Sequence, residues 1–266
     1  MKGHLHLICS RNSKGQNYLS QQSFRAPMHL SKPHEDHDAL VVNLVTPTAG
    51  VFDDDEIDFN IQVEEGAALV LTTPSSSRVY RSRNGDSGKV RQRLRVGAAG
   101  FLEYYPEPFI PHTGARYHQV NDLHVDAGAT LLFFEWLSPG RVASGESFQY
   151  HELRWDTDVW FDSQLIARER YCLSPMHDSV SALTMTFPHA HYLGCFLTGI
   201  ETVPFEQIEA LNSADVYLGC GPLINGGHTI KAVCNGALPA RKTLRALRQL
   251  LYTAANRQLP NLGRFG

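Results

Sequence analysis

Hydrophobic and polar positions change places in short bursts along most of the first 200 residues. Ile57 to Val63 (IDFNIQV) and Val90 to Val96 (VRQRLRV) put an apolar side chain at every second position, the period of a strand with one buried face. Ala39 to Val45 (ALVVNLV), Ala67 to Thr72 (AALVLT), Phe101 to Tyr105, Tyr117 to Val125, Thr130 to Leu137, Ser147 to Trp155 and Val159 to Arg168 continue the series. Thr184 to Thr198 is a further apolar, strand-like stretch. Short turns carrying Gly, Asp or Pro separate these runs at a spacing of roughly ten residues, which predicts a sandwich, a barrel or a β-solenoid. One rhythm recurs: VEEGAALVL, VGAAGFLEY and VDAGATLLFF are each a strand, a tight turn and a strand. Repeated units of that kind predict a mainly β, β-helix-like fold of stacked layers of short strands.

The pattern changes after residue 200. Phe205 to Leu211 following Pro204 reads as a short helix, and Val216 to Cys234 as a hairpin about Asn225-Gly226-Gly227. Pro239-Ala240-Arg241 opens an amphipathic helix. Leu244, Leu247, Leu250 and Leu251 form its apolar stripe, and Arg241, Lys242, Arg245 and Arg248 its polar face. The expected organisation is one β-rich domain over 1–266, strand-rich over 1–200 and mixed hairpin and helix over 201–266, with one or two C-terminal helices.

One residue breaks the pattern. In Leu131 to Leu137 (LLFFEWL) a single carboxylate, Glu135, sits in an otherwise apolar run. A buried carboxylate costs several kcal/mol unless it is paired, hydrogen-bonded or protonated. Glu135 therefore either lies on an edge, bonds a neighbouring Arg, or faces something that needs a carboxylate.

Composition narrows the classes. The chain has 266 residues, 42% hydrophobic and 19% charged, with a net charge of −3, ordinary for a soluble globular protein and without the basic footprint of nucleic-acid binding. No apolar run approaches the roughly 20 residues of a membrane span, and the N-terminus lacks the apolar core of a secretory signal. Five scattered cysteines without a CxxC read as reduced thiols in the cytoplasm.

The thirteen histidines yield only fragments of metal sites. His34 and His37, in HEDHD, are weak candidates and read first as a solvated turn. His4/His6 and His189/His191 each place two imidazoles on one strand face, short of the three or four ligands a site needs. Asp53-Asp54-Asp55-Glu56 is a dense acidic loop that either holds a hard cation or is solvated. No GxSxG, HExxH, P-loop or Rossmann fingerprint occurs. Glu135, Glu146 and Glu169 could serve a carbohydrate-active enzyme on a β-solenoid if they met in space. A purely structural protein-binding module is a third alternative.

Four ordered segments carry a resemblance. Thr72 to Ser82 (TTPSSSRVYRS), containing Arg78, Tyr80 and Arg81, resembles the TTP-x-x-S-K-x-Y-R segment of the UreD (UreH) family of urease accessory proteins. Leu102 to Ile110, with Glu103 and Pro106, is similar to that family's LEWLPQ-x-x-I. Gly140 to Phe148, with Arg141, Gly145 and Glu146, resembles GR-x-x-x-GE-x-F, and Arg168-Glu169-Arg170 matches x-E-R. The family's glycine-rich GG-[IL]-VGGD loop is here Ala49-Gly50-Val51-Phe52-Asp53-Asp54-Asp55, with its last Asp kept and three glycines replaced.

The resemblance implies a non-catalytic scaffold or metallochaperone. It would act with UreF-like and UreG-like proteins on urease apoprotein, and allow homo-oligomer formation through that complex. It implies a largely β, layered fold with an internal tunnel for nickel. The cargo is transient and no cofactor is tightly bound. Residues along the route would map onto Asp55, Ser77, Glu135 and Glu169. Oxygen ligands spaced along a channel bind a divalent ion weakly enough to release it, whereas a His/Cys cage would trap nickel.

Overall fold

The computed structural model describes residues 1–46, 50–175 and 187–262. The chain opens with β1 (Lys2–Arg11), which folds back along β2 (Asn17–Arg25). Two short strands, β3 (His29–Leu30) and β4 (His34–Asp36), pair with opposite ends of β5 (Ala39–Val45) along one edge. A coil then repeats. β6 (Glu56–Val63) turns into β7 (Ala68–Thr72), with β8 (Ser77–Val79) on the return. β9 (Gly88–Val96) turns into β10 (Phe101–Tyr105), with β11 (Phe109–Pro111) on the return. β12 (Arg116–Val125) turns into β13 (Thr130–Leu137).

Among the described residues, the first strand of each coil joins one sheet and the second joins another. The first sheet runs β15-β14-β12-β9-β6-β1-β2, where β14 (Glu152–Phe161) and β15 (Gln164–Leu173) form a hairpin. The second runs β17-β18-β16-β13-β10-β7-β5-β3, with β16 (Ala190–Thr198), β17 (Val216–Pro222) and β18 (His228–Asn235). Pairing is parallel inside each stack and antiparallel at its ends, where β2, β15, β3 and β16 are added.

The VxxGA rhythm forms the corners of this β-helix-like stack. Each corner places its fourth residue at positive φ: Gly66 at 65°, Ala99 at 53° and Gly128 at 75°. Successive corners bond to one another, Gly97 N–H to Val63 O and Asp126 N–H to Val96 O, so backbone groups that a turn would strand are satisfied by the coil below.

The two sheets differ in burial for a reason visible in sequence. The first has one face on the core and one in solvent, and its strands alternate. The second is covered twice, by the first sheet on one side and by the helices on the other, and its strands are continuously apolar. Helix α1 (Phe205–Glu209) and helix α2 (Ala237–Ala254) belong to this outer layer. Leu244, Leu247 and Leu251 are each about 1% exposed or less against the second sheet, with Leu250 packed at their edge. Burying a leucine in this way contributes about 1.5–3 kcal/mol.

Four expectations need correction. The helix starts at Ala237, two residues before Pro239. Arg248 leaves the helix's solvent face: it is 6% exposed and reaches through to Glu103 on the sheet. The strands expected at 147–155 and 159–168 lie at Glu152–Phe161 and Gln164–Leu173. Asp156-Thr157-Asp158 is mid-strand, not a break, because Asp156 and Asp158 face outward onto Arg154, Arg168 and Arg170 while Thr157 faces in. The true turn is Asp162-Ser163, at φ 47° and 64°. Finally, HEDHD is a short strand followed by a turn at His37 (φ 55°), rather than a turn throughout. Part of the stretch expected at 184–198 lies outside the described residues, as do Ala49 and the last four residues.

Candidate functional site

Strand alternation aims Leu131, Phe133 and Glu135 of β13 into the space between the sheets. Glu135 is 4% exposed. Its Oε1 accepts the Trp155 indole N–H at 2.8 Å, with Asn121 Nδ2 at 3.4 Å and Thr157 Oγ1 at 3.5 Å. Its Oε2 is buried with no hydrogen-bond partner among the described residues. Burial pushes its carboxyl above the usual range, while Lys231 opposes the rise.

Register explains how these groups meet. On the first sheet, Gln92, Asn121, Thr157 and Glu169 are cross-strand neighbours over β9, β12, β14 and β15. On the second, Glu135, Gly194 and Lys231 are neighbours over β13, β16 and β18. The two polar rows face each other. Asn121 and Thr157 contact Glu135 at the inner part, and Lys231 Nζ donates to Glu169 Oε2 at 2.6 Å at the outer part. Tyr171 donates to Glu169 Oε2 at 2.6 Å and lies 2.6 Å from the Tyr192 hydroxyl. Burial first, then neighbouring carboxylates, push both phenols up, so they stay protonated. Gly194 leaves the room: a Cβ there would stand 2.7 Å from Glu135 Oε2 and 3.1 Å from the Tyr192 hydroxyl.

Glu135 also lines two cavities. One, of about 280 Å³, has aromatic walls including Phe148, Tyr150, Tyr171 and Tyr192. The other, of about 80 Å³, includes Ser77, Gln92, Tyr104 and Gln119. Both include Glu135, Trp136 and Trp155. Each is large enough to hold water.

The sequence-expected residues fall unevenly about this site. Ser77 and Glu135 line the same smaller cavity, and Glu169 joins Glu135 through the paired rows. The structure does not bring Asp55 to them. Its Oδ2 accepts the Phe52 N–H at 2.9 Å and its Oδ1 pairs with the N-terminal ammonium at 2.8 Å. In the replaced glycine loop Asp54 itself adopts φ 65°, a conformation Asp tolerates better than most residues. Asp53 meanwhile accepts the Arg83 and Asn84 N–H groups.

The other motif residues build corners and clamps. Glu103 bonds Arg248 and Tyr252, and Glu107, next to Pro106, bonds Arg241. Arg141 chelates Glu146 and holds it down to about 2; this places Glu146 in a surface clamp apart from Glu135. Gly140 and Gly145 adopt positive φ on either side of that clamp. Tyr80, between Arg78 and Arg81, stacks on Phe52 at 4.8 Å. Among the described residues no three His, Cys, Asp or Glu gather as a metal cluster, at His34 and His37 or elsewhere.

Sequence reading missed Asn121, Thr157, Tyr192 and Lys231. One signal was available: Gln92 and Asn121 occupy inward positions of strictly alternating strands, in phase with Val90, Leu94 and Leu123.

The pH dependence of Glu135 has a definite sign. Its folded-state pKa lies above the unfolded value, so its contribution to stability is complete in acid and is lost as pH rises through the folded pKa. Glu135→Gln removes that loss. The variant is expected to be more stable than the parent at pH 8, on the order of 1–3 kcal/mol, the desolvation cost of a buried charge that Gln does not carry. The difference should fade toward pH 4, as read by urea unfolding at both pH values. A variant less stable at pH 8 would contradict this.

The UreD urease accessory protein family matches residues 1–264. Urease accessory protein UreD of Opitutus terrae is 36% identical over 261 residues, covering 95% of this chain and 94% of the relative. UreD of Acetivibrio thermocellus is 24% identical over 92% of this chain and 95% of its own length. Urease accessory protein UreH of Helicobacter hepaticus is 26% identical over 88% and 92%.

Proposed function

The chain belongs to the UreD family of urease accessory proteins, and from that premise we propose that it is a non-catalytic scaffold that helps deliver nickel into urease apoprotein. In this reading the ion is cargo. It passes between the sheets along the facing polar rows, from Glu169 and Lys231 past Glu135 to the cavity lined by Ser77. The observation that carries the reading is Glu135: a buried carboxylate with one oxygen unpartnered among the described residues, lining two cavities. Carboxylate, phenol, amide and hydroxyl oxygens along the row are hard, weak ligands for a divalent ion, suited to passage rather than storage. UreF-like and UreG-like proteins are the partners in this scheme, and the cytoplasm its setting.

The test is urease maturation reconstituted from purified accessory proteins, apoprotein and nickel. Glu135→Gln and Glu169→Gln are each expected to lower nickel-dependent activation roughly tenfold, equivalent to about 1.4 kcal/mol, while binding to the UreF-like partner persists. Because Glu135→Gln is expected to be the more stable protein, its loss of activation could not be ascribed to unfolding. Full activation by both variants would remove the polar rows from the function.

A further inference from the structure

Lys231 is not explained by a passage for cations. Its ammonium lies 2.6 Å from Glu169 Oε2 and 3.3 Å from the Tyr171 hydroxyl. It also stands 4.3 Å from the Phe196 ring centroid, 5.7 Å from that of Tyr192 and 5.9 Å from that of Tyr171. One carboxylate, one phenol oxygen and three aromatic faces make a seat for a cation. Side-chain exposures of 27% for Lys231 and 24% for Glu169 place this seat within reach of solvent, while Glu135, two strands away in the same registered row, is buried.

We infer that Lys231 is a tethered counter-cation that occupies the seat a divalent ion takes beside Glu169, so that a divalent ion enters only by displacing it. The inference rests on the reading of the polar rows as a route. Its physical basis is charge: two positive charges at a carboxylate outbid one, whereas a monovalent ion gains nothing over an ammonium already in place. The flexible four-carbon stem lets the ammonium swing out while its methylenes stay on the aromatic faces. Lys231 would thus select by charge and keep Glu169 neutralised between passages.

Two measurements on the intact chain test this, with nickel chloride alone as probe. In calorimetry, Lys231→Met, which keeps the apolar stem, is expected to bind nickel at least roughly tenfold more tightly than the parent. In the unaltered protein, reductive methylation of Lys231 followed by mass spectrometry should accelerate at saturating nickel and be unchanged by potassium. Equal or weaker nickel binding by Lys231→Met, with unchanged labelling, overturns the role of Lys231 and leaves the route standing, provided Glu135→Gln and Glu169→Gln still impair activation. Nickel binding that none of the three substitutions alters, together with full activation by the two glutamine variants, overturns the route itself. If Lys231→Met does not fold, the labelling of the unaltered protein decides alone.

Discussion

Arg248→Met is expected to destabilise the fold by about 3–5 kcal/mol, the cost of stranding one partner of a buried ion pair. Glu103 is fully buried on β10 and receives two hydrogen bonds from Arg248, at 2.5 and 2.8 Å, and a third from the Tyr252 hydroxyl at 2.6 Å. Arg248 also donates to Pro260 O at 3.0 Å, and its guanidinium lies against the Tyr105 and Tyr252 rings. Methionine matches the stem and removes the charge, leaving Glu103 with one donor. Adding Glu103→Leu should recover most of the loss, since a buried pair replaced by apolar groups is close to neutral. Urea unfolding of the single and double variants reads both effects. A single variant within about 1 kcal/mol of the parent would mean that water reaches Glu103.

Gly194→Ala is expected to abolish most urease activation, roughly tenfold or more, at a stability cost of about 1–3 kcal/mol from overpacking. The new methyl would stand 2.7 Å from Glu135 Oε2. That oxygen has little freedom to retreat, because the Trp155 indole holds Oε1 at 2.8 Å. The substitution therefore crowds Glu135, which lines both cavities, and pushes against the carboxylate oxygen that has no partner among the described residues. Gly219→Ala on β17, two strands away in the same sheet, is the control, since nothing lies within 4 Å of its added Cβ. Equal activation by the two alanine variants in the reconstituted assay would show that the space beside Glu135 plays no part.

The stack was legible because its signals are local. A period-two pattern and a glycine at each corner need only neighbouring residues, and the VxxGA rhythm marks corners that the structure stacks directly. The slip at β14 and β15 arose where local polarity misleads: Asp156 and Asp158 look like turn residues until Arg154 of the same strand and Arg168 and Arg170 of β15 are placed beside them. Arg248 went wrong in the same way, since its partner lies 145 positions earlier in the chain. Glu135 was legible as an anomaly, but its surroundings were not. Asn121, Thr157, Gly194 and Lys231 reach it through cross-strand register, which a single sequence does not disclose. Asp55, suggested by resemblance alone, proved to be tied to the chain's first residue and to its own loop.

The antiparallel strands at the ends of both sheets bear on whether this molecule can polymerise. A parallel coil offers the next coil an edge identical to its own, so an unterminated stack is a template for fibre growth. In the first sheet that edge is consumed by β2 on one side and β15 on the other, both running against their neighbours. Another copy cannot then add in the sense of the internal coils. The outermost strands deepen the block: β2 is exposed along most of its length and reads NYLSQQSFR, and β15 presents Arg168 and Arg170, which discourage docking of a bare edge. Loss of β1 and β2 together would uncover the parallel edge of β6 and its IDFNIQV sequence, turning a closed particle into the seed of a filament.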